Sequence, residues 1–309
     1  MKAENKTGFI RNLPFMQLLT GEIVSAVGDT FQFVAITVLL YNLTGSGLSA
    51  AFGVICTPMT SILLSPFAGS LGDKFSEKYM LVFLDLFRAF LVTFLIGSSN
   101  TFEIYLILIL LAALGTLYGP PYKKIMVHIL DKKNIVAGNS IFTGVSGVVY
   151  IIGPLAASAL MNRYGLDTAF YINSFSFVFS ALMILFIKFD KKQITSVRKN
   201  YRPNYNLFNG IKEGFKYCRK DRQIKHLILI GTIISLGTAS VNIAFYPYVF
   251  NILKVSSEEW GIMISVFYGT NLISMFLAVL FEKFFKGRIM TIVYLLFSAT
   301  SVVWFMYAL

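Results

Sequence analysis

Charged side chains are scarce in this sequence. Only 14% of its 309 residues are Asp, Glu, Lys or Arg, against 56% hydrophobic residues, and the mean hydropathy is +0.70. A soluble domain carries about 25% charged residues, so an ordinary soluble globule is excluded. Apolar runs of about 20 residues recur instead, each long enough to cross a hydrocarbon core of about 30 Å. Because backbone polar groups cannot stay unpaired in lipid, and the runs do not alternate strictly, we predict membrane-spanning helices.

Cysteine is rare as well. Cys56 lies in an apolar run and Cys218 in a basic loop, so the sequence has neither a disulfide framework nor metal-ligand spacing. It also lacks a G-K-[ST] phosphate-binding loop and a nucleophile with a base at useful spacing. The sequence therefore predicts no metal site, no cofactor and no enzyme activity.

Nine apolar runs qualify as spans. They cover residues 15–41, 49–71, 79–98, 103–122, 140–162, 168–188, 227–252, 259–280 and 290–309. With a cytoplasmic N-terminus, 24 of the 27 Lys and Arg residues fall on the cytoplasmic side; Arg163 and Lys254 fall outside, and Arg88 lies in a span. Cytoplasmic loops carry this excess in membrane proteins. We therefore predict a multi-pass protein of a bacterial plasma membrane with a cytoplasmic N-terminus, and the charge distribution argues against a nucleic-acid partner.

One long polar connection, residues 189–225, interrupts the spans. It is rich in Lys and Arg, and Leu207, Ile211 and Phe215 recur every fourth residue, as on one stripe of a short helix. Such a helix would lie in the headgroup plane against anionic lipid. A solvated linker with a chance stripe is the alternative.

The spans before and after this connection are weakly similar. A constant offset of 209 residues relates Leu71, Asp73, Lys74 and Phe75 to Leu280, Glu282, Lys283 and Phe284. Repeated bundles are the architecture of many secondary transporters. We predict three parts: a six-helix bundle over 1–188, the basic linker over 189–225, and a partial bundle of three helices over 226–309.

The segment from Gly69 to Lys78, G-S-L-G-D-K-F-S-E-K, resembles the loop motif G-x-L-a-D-r-x-G-r-k of the major facilitator superfamily. Ser76 replaces its second glycine and Glu77 a basic residue. Further residues are similar to the drug-export branch that contains macrolide-efflux permeases and the enterobactin exporter: Ser25, Gly28, Asp29, Asp85–Ala89, Gly138–Ser140, Gly153 and Pro154.

The resemblance implies an all-α fold of twelve helices in two six-helix bundles, with a central cavity and alternating access. It also implies a gating role for Asp73 and its neighbours Lys74 and Lys78. Nine spans that end at Leu309 lead us to expect an incomplete second bundle, as in a truncated chain or a departure from the family.

Ionisable residues within spans are costly and are therefore functional candidates. Glu22 and Asp29 are seven residues apart on the first span and share a helical face. At about 1.5 Å per residue, Asp29 lies ~20 Å in from Phe15 and Glu22 ~10 Å. A proton-driven exporter needs a carboxyl group that takes up and releases protons, and burial favours its protonated form. Permanent pairing with neighbouring helices is the structural alternative.

Asp85 and Arg88, three residues apart on the third span, can pair on one face. We interpret them as mainly structural, in a gating cluster near the cytoplasmic end that Asp73 and Lys74 can join.

Two further sets of residues complete the candidates. Small residues and a proline in the fifth span allow close helix approach and a bend: Gly144, Gly147, Gly153 and Pro154. Asn242 and Tyr246 in the seventh span are candidates for lining a cavity, although ordinary packing is the favoured interpretation.

The sequence thus predicts a secondary-active exporter. Its substrate would be a hydrophobic or amphiphilic small molecule, drug-like or siderophore-like, exchanged for protons. The rival interpretation is a non-transporting remnant or partner subunit in the membrane, and a membrane-bound enzyme ranks last.

Overall fold

The computed structural model describes residues 12–71, 76–131, 134–188, 216, 219 and 222–281. Two compact units divide the chain, Met1–Ser265 and Val266–Leu309. All packing described below lies within the first unit. The helices are α1 (Leu13–Thr44), α2 (Gly47–Leu71), α3 (Glu77–Thr93), α4 (Thr101–Ile129), α5 (Ile135–Tyr164), α6 (Asp167–Phe186), α7 (Arg222–Pro247), a π-helical turn (Tyr248–Ile252) and α8 (Ser257–Phe281).

Five helices in the described part of the chain are long and apolar enough to cross a membrane. They are α1, the segment Gly47–Ala68 of α2, α4, the segment Ala137–Tyr164 of α5, and α6. These match the first, second, fourth, fifth and sixth predicted spans. The predicted spans 227–252 and 259–280 coincide with α7 plus the π-helical turn and with α8. The predicted span 290–309 and nearly all of the predicted linker 189–225 lie outside the described residues, so the division into three parts stays a prediction.

Helix α3 is shorter than its predicted span 79–98. It has 17 residues and ends at Thr93. Beyond it the chain passes through tight turns to Gly97, whose φ of 67° lies in the left-handed region that glycine tolerates. Helix α3 also carries four charged residues, which make it the most polar helix of the group.

Helix α1 lies at the centre of the bundle. It packs against α6, α5, α2 and α4, while α3 packs against α6 and α4. Asn12 caps its start, because Asn12 Oδ1 accepts the Phe15 N–H at 3.3 Å while Asn12 Nδ2 donates to Ile129 O at the end of α4 at 2.9 Å. These bonds pair backbone groups that a helix end leaves free.

We call the end of the bundle that holds Phe15 the inner end, and the end that holds Thr44 the outer end, after the predicted orientation. Large apolar side chains of four helices fill the inner end, among them Phe15, Leu81, Ile125 and Ile184. This core fixes α1, α3, α4 and α6 against one another below the polar residues described next.

Close approach of α1 and α6 depends on Gly28. A Cβ atom at Gly28 would overlap Ser176 Oγ and Asn173 Oδ1 and would lie 2.8 Å from Ser176 Cβ. Gly144 on α5 has no atom within 4 Å of its Cβ position among the described residues, so it makes no close helix contact there.

Gly28→Ala is expected to destabilise the protein by ~1–3 kcal/mol, the usual range for overpacking. Gly144→Ala is the matched control, since the same methyl group enters open space. Thermal unfolding of both variants in detergent measures the difference, and equal midpoints would contradict the close α1–α6 contact.

Candidate functional site

The two carboxyl groups of α1 are reachable from outside the packed bundle. Asp29 is exposed and Glu22 is half-buried. Glu22 Oε1 accepts a hydrogen bond from the Tyr118 hydroxyl of α4. This bond fixes the Glu22 side chain against a neighbouring helix while leaving part of it open.

The charged pair of α3 lies deeper. Asp85 is 0% exposed and Arg88 is buried. Arg88 Nη1 lies 3.3 Å from Asp85 Oδ1, as the three-residue spacing predicts. The other carboxylate oxygen, Asp85 Oδ2, has no hydrogen-bond partner among the described residues.

Tyr118 connects these groups. The Arg88 guanidinium lies 4.5 Å from the centre of the Tyr118 ring and 5.3 Å from that of Phe177 on α6. A cation over an aromatic face is attracted by the ring quadrupole. The charge of Arg88 also interacts with Glu22 and Asp29 on α1. We call Glu22, Asp29, Asp85, Arg88 and Tyr118 the charge cluster; it joins α1, α3 and α4.

A polar network lies beside the charge cluster on α1 and α6. Asn173, which is fully buried, donates through Nδ2 to Gln32 Oε1 at 2.7 Å and accepts from Ser176 Oγ at 3.0 Å. Buried amides are stable only when hydrogen-bonded, so this network fixes the rotation of α1 that presents Asp29. No group of three metal-ligating side chains is found in the described part of the chain.

A second cluster lies at the outer end. Trp260 of α8 is 0% exposed, and its ring packs against Phe245, Tyr246 and Phe250 with centroids 5.2 to 6.1 Å away. Its Nε1 donates to Thr37 Oγ1 of α1 at 3.0 Å. We call Trp260 and these three aromatic residues the outer cluster.

The π-helical turn adds two hydrogen bonds to α1 and α2. The Tyr41 hydroxyl donates to Phe250 O at 2.9 Å, and Asn251 Oδ1 accepts the Gly47 N–H at 3.2 Å. Asn251 thereby caps the start of α2, whose first N–H groups lack intrahelical partners. These bonds attach the segment after α7 to the outer end of the first six helices.

The predicted gating role stays a prediction. Asp85 and Arg88 pair as their spacing predicts and belong to the charge cluster, directly beside the inner-end core that contains Leu84 and Tyr118. Asp73 and Lys74 lie outside the described residues. Lys78, at the start of α3, donates instead to Ile187 O beyond the end of α6 at 2.8 Å.

The remaining predicted residues lie in other places. Tyr246 is buried in the outer cluster, near Gly47 and therefore roughly 20 Å along α1 from Asp29. The side chain of Asn242 is not among those described. Gly153 packs against Thr30 of α1, where a Cβ atom would lie 2.9 Å from Thr30 Cβ.

Two more of the predicted small residues lie on α5. Pro154 O is approached by Gly261 of α8, whose Cβ position lies 2.8 Å from it, and Gly147 is half-buried.

Sequence reasoning missed Tyr118, Asn173, Thr37 and Trp260. Asn173 and Gln32 could have been predicted to hydrogen-bond to other polar groups, because an amide within an apolar run must find a partner. Tyr118 and Trp260 carried none, since aromatic residues are common on lipid-facing and packing surfaces alike.

The sequence of this chain is similar to those of several known proteins. The chain is 25% identical over 298 residues to multidrug resistance protein 1 of Bacillus subtilis, covering 95% of this chain and 73% of that one. It is 27% identical over 228 residues to the multidrug resistance protein MdtG of Salmonella arizonae, covering 72% and 53%. It is 24% identical over 208 residues to the uncharacterized MFS-type transporter YfiS of Bacillus subtilis, covering 66% and 49%. The chain thus spans about half to three quarters of the length of these relatives.

A solved structure shares the fold. The chain superposes on a bacterial homologue of the human lysosomal transporter Spinster with a TM-score of 0.65 and 13% sequence identity, covering 92% of this chain and 64% of that one. The predicted all-α, multi-pass membrane fold is confirmed. The narrower macrolide-efflux and enterobactin branch stays a prediction. The profile of the Major Facilitator Superfamily matches residues 18–309, and the chain belongs to that family of membrane transporters.

Proposed function

We propose that this protein exports a hydrophobic or amphiphilic small molecule across the cell membrane in exchange for protons. The observation that carries the proposal is the pair of α1 carboxyl groups, Glu22 and Asp29, on an accessible face within reach of the charge of the buried Arg88 guanidinium. A carboxyl group that is reachable and poorly solvated exchanges protons with one side at a time, which is the chemistry of coupling.

Aromatic side chains beside Glu22 support an apolar or amphiphilic substrate. The rings of Tyr118 and Tyr122 stack at 6.1 Å, and Tyr122 lies 5.9 Å from Phe142 of α5. A carboxylate next to three half-buried or buried rings fits a molecule with an apolar body and a polar end. The names of the relatives, multidrug resistance proteins, agree with such a substrate.

The outer cluster supports alternating access. Among the described residues, the contacts that tie α7, the π-helical turn and the start of α8 to α1, α2 and α5 lie at the outer end. The inner half of α7 instead exposes Ile228, Leu229, Ile233 and Leu236. We interpret this arrangement as a state closed at the outer end, in which Asp29 and Glu22 are reached from the inner side.

Transport into inside-out vesicles tests the proposal. We expect ethidium, a fluorescent amphiphilic cation, to accumulate when a proton gradient is imposed and to stop accumulating when a protonophore collapses it. Asp29→Asn and Glu22→Gln should each lower the initial rate at least about a hundredfold, the lower end of what removing a positioned proton-transfer group costs. Asp131→Asn and Glu103→Gln, at the two ends of α4, are matched controls and should transport normally.

Three outcomes oppose the proposal. Accumulation that survives the protonophore would contradict proton coupling, and normal rates in both α1 variants would contradict the assigned residues. The absence of accumulation for ethidium and for a panel of neutral and cationic dyes would favour the rival interpretation, a membrane protein with the family fold that does not transport.

A further inference from the structure

Asp85 is not explained by a permanent ion pair. Only one of its oxygens faces Arg88, and the Oδ1–Nη1 distance of 3.3 Å is long for a charge-assisted bond, which is usually about 2.7–2.9 Å. Asp85 Oδ2 has no partner among the described residues although the residue is 0% exposed. An ionised oxygen left unpaired in this way costs more than the ~1–3 kcal/mol of a neutral group.

Protonation of Oδ2 removes this cost. The hydroxyl groups of Ser180 on α6 and Tyr118 on α4 lie near the Asp85 carboxyl group, and Ser180 Oγ is buried without a hydrogen bond among the described residues. A protonated Oδ2 becomes a donor that a serine hydroxyl can accept. A metal cation does not fit, because two oxygens are too few ligands and Arg88 repels it. The proton is the ligand that fits.

The surrounding charges favour the same conclusion. The negative charges of Glu22 and Asp29 on α1 repel a negative charge on Asp85. Helix α4 contributes Tyr118, and Arg88 is the neighbouring cation on α3 itself. From α6, the group facing Asp85 is Ser180, which does not titrate. In the described part of the chain, three carboxyl groups therefore share one guanidinium, and Asp85 is fully buried, where an uncompensated charge is costly.

We infer that Asp85 is a proton-binding site, and that a proton taken up on Oδ2 releases Arg88 to pair with Glu22 across Tyr118. The proton comes from water on the accessible side and forms an O–H bond with Oδ2. Its loss restores the Asp85–Arg88 pair. Because the Tyr118 ring contacts Arg88 and its hydroxyl holds Glu22, the exchange links α3 to the accessible α1 carboxyl group. The assignment of this proton to export rests on the proposed function; its binding does not.

Infrared difference spectroscopy of the purified full chain in lipid nanodiscs tests proton binding without transport. A pH titration should show the C=O stretching band of a protonated carboxylic acid that disappears as the pH rises. We expect Asp85→Asn to lose this band, Glu22→Gln and Asp29→Asn to retain it, and Asp85→Glu to restore a band at a shifted frequency. Glu103→Gln is the control and should leave this band unchanged.

Asn is nearly isosteric with Asp and keeps an oxygen for Arg88, so Asp85→Asn should fold. If it does not, Ser180→Ala reads the same proton, because loss of the acceptor shifts the band. The inference would be overturned if Asp85→Asn kept the band, or if Ser180→Ala left its frequency unshifted. If ethidium is transported but the Asp85 band does not change with pH, the exchanged proton binds on α1 alone and the inference fails. If the Asp85 band changes with pH but ethidium is not transported, only the proposed function fails.

Discussion

Arg88→Met is expected to destabilise the protein more than any other single change in the charge cluster. The variant leaves Asp85 buried at 0% exposure without its counter-ion, which typically costs ~3–5 kcal/mol. It also removes the guanidinium from between the Tyr118 and Phe177 rings. The fraction of monodisperse protein and the thermal midpoint in detergent measure the loss.

The destabilisation by Arg88→Met should grow as the pH rises. Without Arg88 the folded protein keeps the buried Asp85 carboxyl group only in its protonated form, whereas the unfolded chain releases that proton. The folded state then binds more protons than the unfolded state, so the free energy of unfolding falls with increasing pH. Thermal midpoints across the pH range give the sign directly.

Two comparisons isolate the charge effect. Arg163→Met changes an exposed arginine at the end of α5 and should stay within about 0.5 kcal/mol of the parent. Asp85→Asn/Arg88→Met should recover most of the loss, because the amide needs no counter-ion, and the double-mutant cycle yields the coupling free energy. A double variant as unstable as Arg88→Met would show that Arg88 acts by packing rather than by charge.

Trp260→Ala is expected to open the outer end. Truncating a fully buried tryptophan costs ~3–5 kcal/mol, and here that cost falls on the state in which Trp260 packs in the outer cluster and donates to Thr37. Since each ~1.4 kcal/mol is a tenfold change in an equilibrium, the closed state should lose most of its population.

Thiol labelling measures this opening. On a background with Cys56→Ser and Cys218→Ser, Ser158→Cys places a thiol where Gly261 of α8 now covers it. A membrane-impermeant maleimide added outside should label this thiol at least about tenfold faster in Trp260→Ala, in proportion to the population of the open state.

Milder variants separate opening from unfolding. Trp260→Phe and Thr37→Val each remove the 3.0 Å hydrogen bond and keep most of the packing, so they should raise the labelling rate by a smaller factor and should not add to each other. Phe102→Ala, at an exposed site at the start of α4, should have no effect. Unchanged labelling in a folded Trp260→Ala variant would contradict the outer closure.

The sequence predicted the positions of the helices better than it predicted the contacts between them. Five predicted spans coincide with long apolar helices because a run of about 20 apolar residues has no other way to satisfy its backbone in lipid. The third span was predicted too long, since a window of apolar residues over 94–98 hides the turns that lead to Gly97. Glu22, Asp29, Asp85 and Arg88 were identified from their cost in an apolar run, and the pairing of Asp85 with Arg88 follows from their spacing alone.

The sequence by itself determined a helical membrane protein, the charge distribution that predicts its orientation, and the four ionisable residues most in need of an explanation. Only the tertiary structure decided which of them meet. A helix that is apolar on every side carries no signal for the face that contacts another helix, so the register depends on local fits such as Gly28 against Ser176. Those fits bring Tyr118 between Arg88 and Glu22 and leave Asp85 Oδ2 unpaired, and from them the proposed coupling follows.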